Sequence, residues 1–209
     1  MVKSAGPGTD WRESRRQSAR AAILAAAWTA VREDGLAALS LRDLARRSGI
    51  STPTVYAYFD SKNDIYDAMF GQAAEDFAAH MAAPYDIADP RAALVAAVRR
   101  FVDFCTGDPA RYQLLFQRTI PGFEPSTESY AAAVRALDGA RELLALNGVS
   151  DERHLDMWTA LTTGLVSQQV ANDPGGDRWV RLVEDLVAMF LDHCRPSGRR
   201  PSRSRKGAP

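Results

Sequence analysis

The stretch Ser40 to Lys62, SLRDLARRSGISTPTVYAYFDSK, constrains this chain more than any other. It reads as a short helix, a tight turn, a second short helix and the start of a third. Ser40 stands before Leu41 and can accept from the free amides of a first helical turn, while Asp43 suits the positive end of that helix. The pair is a weak form of the capping box, since Glu or Gln is the usual partner. Leu41, Leu44 and Ala45 fall at helical spacing and give one apolar face, with Arg42, Arg46 and Arg47 elsewhere on the helix. Gly49 suits the left-handed backbone that ends a helix. Ile50 is then expected to plug inward. Ser51 can cap the next helix, and Pro53 is tolerated because it falls in the first turn.

In that second helix Val55 and Phe59 are four apart and share a face, which we read as inward. Pro53 and Ala57 then point outward, flanked by Thr54 and Tyr56, with Thr52 and Tyr58 near the edges. Ser61 to Asp64 is another cap-like start, and Lys62 places an ammonium near a helix N-terminus, where phosphate is also favoured. Two capped helices joined by a Gly turn are the shape that lays one helix in the DNA major groove. Hydroxyls and phenols on its outer face suit phosphate oxygens, and a Thr methyl suits a thymine methyl. The alternative is three ordinary surface helices; the joint occurrence of caps, Gly49, Ile50 and the Pro-bearing helix argues against it.

The same residues resemble the N-terminal domain of the TetR family of transcriptional regulators. The matching pieces are Ile23-Leu24-Ala25-Ala26-Ala27, Gly35-Leu36, Ser40 through Ala45, Gly49-Ile50-Ser51, Val55 through Phe59, and Lys62. The likeness covers about residues 15–70. It implies an all-helical dimer that binds a palindromic double-stranded DNA operator through this motif, and in many members releases it when a small molecule enters the C-terminal domain. Carried over by position, it implies DNA contacts from Arg42, Thr52, Pro53, Thr54, Tyr56, Tyr58 and Lys62.

The chain has no net charge, but the charge is unevenly spread. Residues 10–62 carry nine Lys or Arg against six acids, residues 63–194 ten against twenty, and residues 195–209 six against none. An acidic body is repelled by DNA, whereas the motif and both ends are attracted. Alanine is abundant and alternating β-branched runs are nearly absent, so the expected class is all-α. Cys105 and Cys194 make no disulfide framework and read as buried free thiols. No signal peptide and no membrane-length apolar run are visible, so a cytoplasmic location away from membranes is expected. His80, His154 and His193 form no metal-spacing cluster. A Gly-rich phosphate loop and a nucleophile elbow are lacking too, so neither a metal, a cofactor nor an enzyme activity is expected.

The expected organisation is a disordered basic arm over 1–14, a three-helix DNA-binding domain over 15–62, a helical effector-binding and dimerisation domain over 63–194, and a disordered basic tail over 195–209. Arg12, Arg15 and Arg16 read either as a solvated helix face or as phosphate contacts flanking the motif. Beyond a first helix at 15–34, a helix at 62–81 carries Ile65, Met69, Ala73 and Phe77 as a buried stripe. Further helices are expected at 90–106, 109–120, 126–147, 151–172 and 177–194, separated by Gly and Pro breakers.

The last two helices carry broad apolar faces, from which Leu161, Leu165, Trp179, Leu182, Leu186 and Phe190 are expected at a twofold interface. That reading follows the resemblance, since the family's last two helices pair subunits; intrachain core is the alternative. Arg111 through Phe116 and on to Pro125 resembles a C-terminal domain type found in a subset of TetR-like regulators. Phe101, Phe104, Tyr112, Phe116, Tyr130, Trp158 and Thr162 are candidate pocket residues, with His154, Gln168 or Arg118 as polar anchors. The expected function is a homodimeric repressor released from its operator by a small apolar ligand. A ligand-independent or activating regulator is the alternative, and a DNA-coating protein using its basic tail is a further one.

Overall fold

The computed structural model describes residues 7–195, with side chains from residue 11 onward. All regular structure among them is helical: α1 (Pro7–Asp34), α2 (Leu41–Ser48), α3 (Thr52–Tyr56), α4 (Lys62–Met81), α5 (Pro90–Gly107), α6 (Pro109–Phe116), α7 (Thr127–Leu146), α8 (Glu152–Asn172) and α9 (Val183–Cys194), plus 3-10 turns at Leu36–Ala38 and Val180–Leu182. Helix α1 therefore starts eight residues earlier than expected, and residues 7–14 are helical rather than a disordered arm. The first six residues and the tail from 196 lie outside the described residues. The last helix starts at Val183, not 177, because Asp173-Pro174-Gly175-Gly176 is followed by a 3-10 turn before the α-helix sets in.

The helix ends follow the caps read from sequence. Ser40, Ser51 and Ser61 each have extended backbone and accept from the amide three residues on. Gly49 takes the left-handed conformation at φ 69°, and its turn lets Ile50 N–H bond the Ala45 carbonyl at 3.0 Å. The reciprocal capping box, though, sits at Ser61–Asp64, where Asp64 also accepts from the Ser61 amide at 3.0 Å. At Ser40 the carboxylate of Asp43 is taken by arginines instead.

Two cores are built on this frame. One joins Ile23, Ala27 and Val31 of α1 to Leu44, Val55 and Phe59 of the motif and to Ile65, Tyr66, Met69, Phe70, Ala73 and Ala74 of α4, and reaches Leu114 of α6 and Ala132 of α7. The other gathers α5, α8 and α9 around Val98, Trp158, Val166, Val187 and Phe190. The boundary expected at 62/63 follows the motif and not the packing, since α4 supplies much of the first core. The stripe Ile65, Met69, Ala73, Phe77 is buried as expected, but so is a second stripe of Tyr66, Phe70 and Ala74. Helix α7 covers α4 lengthwise: Asp67 accepts from the Ser126 amide at 2.6 Å and from the Ser126 and Ser129 hydroxyls at 2.9 Å. A Cβ at Gly71 would stand 3.2 Å from Ser129 Oγ, so a larger residue there requires that side chain to shift by a few tenths of an ångström.

Gln169, buried to 1 % exposure, explains itself by its bonds. Its Oε1 accepts from the amides of Trp179 (3.0 Å) and Val180 (3.3 Å), and its Nε2 donates to the Gly176 and Asp173 carbonyls. It thus closes the α8–α9 loop from within. A core test falls on Phe59, which is 2 % exposed and fixes α3 against α1 and α4. Phe59→Ala is expected to cost about 3–5 kcal/mol, read as a lower urea midpoint at unchanged m-value.

Candidate DNA interface and effector region

Helix α3 is short, and the core fixes its orientation. Val55 and Phe59 are buried, as read from their spacing, which turns Pro53, Tyr56 and Ala57 to solvent. Tyr56 is 50 % exposed although large and aromatic. Thr52, Thr54 and Tyr58 are half-buried, and the Thr54 hydroxyl lies 2.7 Å from that of Ser51. The expected contact residues Thr52, Pro53, Thr54 and Tyr56 thus all sit on one short helix whose inner face is fixed by the core. Tyr58 follows it directly. Lys62, at the first turn of α4, is tethered: Nζ donates to the Ala37 carbonyl at 3.3 Å and lies 5.4 Å from the Tyr66 ring. The Tyr66 hydroxyl donates to the Leu36 carbonyl at 2.5 Å, and burial pushes its pKa up to about 12.

The arginines of α2 separate into two kinds. Arg46 and Arg47 both bond Asp43, and Arg47 also reaches Glu33 (2.6 Å) and Asp34 (3.5 Å) of α1. Their hydrogen bonds, Arg47's first and Arg46's second, hold the Asp43 carboxyl below the usual carboxylate range. Arg42 is exposed and has no ion pair among the described residues, which leaves its charge for a partner. Arg20 was not singled out by sequence: it donates to the Tyr58 carbonyl at 3.2 Å and lies 4.3 Å over the Phe59 ring, clamping the exit of α3 to α1. No residue pattern marks such a long-range clamp.

In the body, four candidate pocket residues converge. Phe101, Phe104 and Phe116 surround Phe77 of α4 at 5.9, 5.0 and 5.3 Å between ring centres, and Tyr112 lies 6.0 Å from Phe116. The Tyr112 hydroxyl is buried and has no hydrogen-bond partner among the described residues. His80 borders this cluster, 5.7 Å from Phe104, and was not read as part of it. The other candidates lie elsewhere. Tyr130 stacks on Phe70 at 6.1 Å on the α4–α7 side and is half exposed. Trp158 packs on Phe190 at 5.0 Å in the second core, and the Thr162 hydroxyl is used up on the Trp158 carbonyl at 2.9 Å. Of the proposed anchors, Gln168 is exposed, Arg118 pairs loosely with Glu124 at 3.7 Å, and His154 faces Phe190 and His193. Each therefore lies apart from the aromatic cluster.

Two of the residues expected at a subunit interface are corrected as well. Phe190 and Leu165 are buried in the chain's own core. Leu161, Trp179 and Leu186 are half-buried, and Leu182 is exposed. Met189 is 58 % exposed on α9, three residues past Leu186, and is a further apolar side chain on that side which the expected interface set did not include. The Trp179 indole N–H is buried without a partner. Burial raises the thiol pKa of Cys105 far above its ordinary value, and that of Cys194 as well, so both stay protonated at neutral pH.

A third junction ties the motif to the body. Arg32 of α1 pairs with Asp108 at 2.6 Å, and Asp108 is also the N-cap of α6. Arg111 of α6 pairs with Asp76 of α4 at 2.9 Å. The Trp28 ring has Arg32 at 5.5 Å and Arg111 at 5.4 Å, and its indole donates to Gln72 at 3.0 Å.

A capped two-helix motif with its inner face locked and its polar face open, carried on a helical body, has the geometry of a helix-turn-helix. Residues 23–69 match the model of the bacterial regulatory proteins of the tetR family. The chain is 31 % identical over 103 residues to the HTH-type transcriptional activator FasR of Mycolicibacterium smegmatis, covering 49 % of this chain and 47 % of that protein. The chain spans about half the length of the curated relatives it matches. A tetR-family regulator from Streptomyces coelicolor shares the fold with a TM-score of 0.64 at 21 % identity, over 83 % of this chain and 79 % of that one. So does FadR of Bacillus subtilis, solved with stearoyl-CoA, with a TM-score of 0.59 at 19 % identity over 82 % and 97 %. Among the described residues no helix is long and apolar enough to cross a membrane, and no cluster of three metal-ligating side chains occurs.

The Asp43 cluster gives a pH test. Its folded-state pKa is depressed, so its contribution to stability is present above the unfolded value of about 3.9 and is lost as pH falls through the lower folded value. Asp43→Asn is expected to lower the urea midpoint at neutral pH, with the gap to the unaltered chain closing as pH falls below the ordinary carboxylate range.

Proposed function

We propose that this regulator is a homodimeric repressor that holds a near-palindromic operator through α3 and releases it when a small apolar ligand enters the body. The observation that carries the DNA half of this reading is the 50 % exposed Tyr56 on a helix whose opposite face is locked by Val55 and Phe59. Thr52, Pro53 and Thr54 would read the groove beside it, while Arg42, Tyr58 and Lys62 would bind phosphate. A single five-residue helix reads little DNA, so a second copy about 34–36 Å away is needed for affinity. Leu161, Leu182, Leu186 and Met189 on the outer side of α8 and α9, and the unpartnered Trp179 N–H, support that twofold contact. The proposed location is the cytoplasm, where the operator lies.

For the ligand, the support is the orphaned Tyr112 hydroxyl beside the rings of Phe101, Phe104, Phe116 and Phe77. A buried hydroxyl without a partner costs free energy, which a ligand polar group would recover. The bound state would re-space these rings, shift α4 and α6, and favour a dimer with its heads at the wrong separation. An apolar acyl chain with a polar head suits such a site, and FadR of Bacillus subtilis was solved with stearoyl-CoA. The activator FasR keeps the opposite sign of regulation as the second reading.

Promoter DNA around the chain's own coding region is the first test. Tyr56→Ala is expected to weaken a sequence-selective complex by about tenfold or more at unchanged thermal stability; full retention of affinity overturns the recognition-helix assignment. Leu182→Asp with Met189→Asp is expected to give a monomer by light scattering and to lose operator affinity with it. For the ligand, a fatty acyl-CoA at about a hundred times its Kd is expected to stabilise the chain by about 2.7 kcal/mol. Tyr112→Phe is expected to reduce that gain while leaving the unliganded chain nearly as stable.

A further inference from the structure

Helix α1 is longer than the core it serves. Its buried residues begin at Ile23, yet the helix runs back to Pro7. The segment before Ile23 is fixed against the motif by one clamp: Arg20, bonded to the Tyr58 carbonyl and stacked on Phe59. Upstream of the clamp, Arg16 and Arg12 fall four and eight residues before Arg20 and so share its face, with Arg15 beside them. These three guanidiniums, Trp11, Ala57 and Tyr58 line one open concavity, so the projecting turns of α1 run along the exit of the recognition helix.

The chemistry of that concavity is one-sided. Arg12 and Arg15 lie 5.7 and 5.6 Å from the centre of the Trp11 ring, and Trp11 is itself 49 % exposed. An aromatic face next to two arginines restricts their rotamers without neutralising them. Arg12, Arg15 and Arg16 have no ion pair among the described residues, and the nearby Glu13 does not engage them. Arg46 and Arg47 of α2, by contrast, are neutralised by Asp43, Glu33 and Asp34. An unneutralised cationic groove continuous with a DNA-reading helix matches a phosphate backbone in charge.

We propose that Arg12, Arg15 and Arg16, steadied by Trp11, form a second phosphate-binding surface that engages duplex DNA outside the half-site read by α3. The inference rests on the DNA-binding reading above and extends its footprint. The distance from Arg20 back to Arg12 is eight helical residues, or about 12 Å, which is about four base pairs of flanking duplex. The contact carries no base sequence, so it raises affinity for every duplex long enough to reach it.

The test compares Arg12→Gln/Arg15→Gln/Arg16→Gln and Arg12→Lys/Arg15→Lys/Arg16→Lys with the unaltered full chain. Each binds operator duplexes with and without about five extra flanking base pairs per side, across a salt series. Gln and Lys are good helix formers, so circular dichroism and thermal midpoint are expected to be unchanged. The unaltered chain is expected to gain affinity from the flanks. The Gln variant is expected to lose that gain, and its log-affinity against log-salt slope to shrink by about 2–3 per protomer, while the Lys variant keeps most of both. A Gln variant with unchanged slope and an intact flank gain overturns the proposal. So does a loss confined to one DNA sequence, since phosphate contacts do not discriminate. If the unaltered chain forms no duplex complex at any salt, the underlying DNA-binding reading fails and this inference falls with it. Binding that persists with Tyr56→Ala still weakening it, but without a flank gain, sinks this inference alone.

Discussion

Helix α4 is buried from two sides, and the rest of the molecule depends on that. Its stripe of Ile65, Met69 and Ala73 completes the core beneath the motif, while Tyr66, Phe70 and Ala74 broaden it toward α7. At its start, the reciprocal Ser61–Asp64 box fixes where the helix begins, and with it where Lys62 stands. Near its end Phe77 sits among the rings of α5 and α6. One rigid element therefore touches the DNA-facing end, the α7 crossing and the aromatic cluster. A 20-residue helix spans about 30 Å, enough to carry a small tilt at one end into a displacement at the other.

The charge of the motif end is sorted by pairing rather than by amount. Residues 10–62 carry only three more cations than acids. The acids among them are not spread evenly: Asp43 holds both Arg46 and Arg47 within α2, and Glu33 and Asp34 also reach Arg47, which ties α1 to α2. Exposed ion pairs of this kind contribute little stability each, but a shared carboxylate orders several side chains at once. The cations of this stretch without an ion pair among the described residues, Arg42 on α2, Arg12, Arg15, Arg16 and Arg20 on α1, and Lys62 on α4, lie on elements that flank α3. A residue count alone gives no hint of that separation.

Much of the motif was legible because its determinants are local. Caps act within three residues, Gly49 acts at its own φ angle, and the Val55–Phe59 pair follows from one helical turn. The body was less legible because its determinants are distant in sequence. Phe190 and Leu165 satisfy the spacing of an interface stripe as well as that of a core, and only their burial in the folded chain assigns them to the core. Tyr130 has the composition of a pocket residue, but its helix faces Phe70 across α4. Gln169 holds four backbone groups of a loop that periodicity cannot see. The early start of α1 was missed because Pro7 and Gly8 read as breakers, although Pro is well tolerated in a first helical turn.

The joint between motif and body has a chemistry of its own. Asp108 both caps α6, accepting from the Arg111 amide at 3.3 Å, and accepts Arg32 of α1 at 2.6 Å. The same carboxylate thus serves a local and a long-range role. Trp28 adds a second tie, with arginines from α1 and α6 against its ring and Gln72 of α4 on its indole. If a ligand re-spaces the rings around Phe77, it acts on α4 and, through Phe116, on α6. Moving α6 relative to α1 cannot keep Asp108 bonded to both Arg32 and its own first turn. The ion pair is partly exposed and weak singly, so this junction yields at modest cost, while the apolar core below it does not. That core is shared between the two parts: it runs from α1 and the motif through α4 to Leu114 of α6 and Ala132 of α7, so apolar packing rather than the ion pair holds motif and body together.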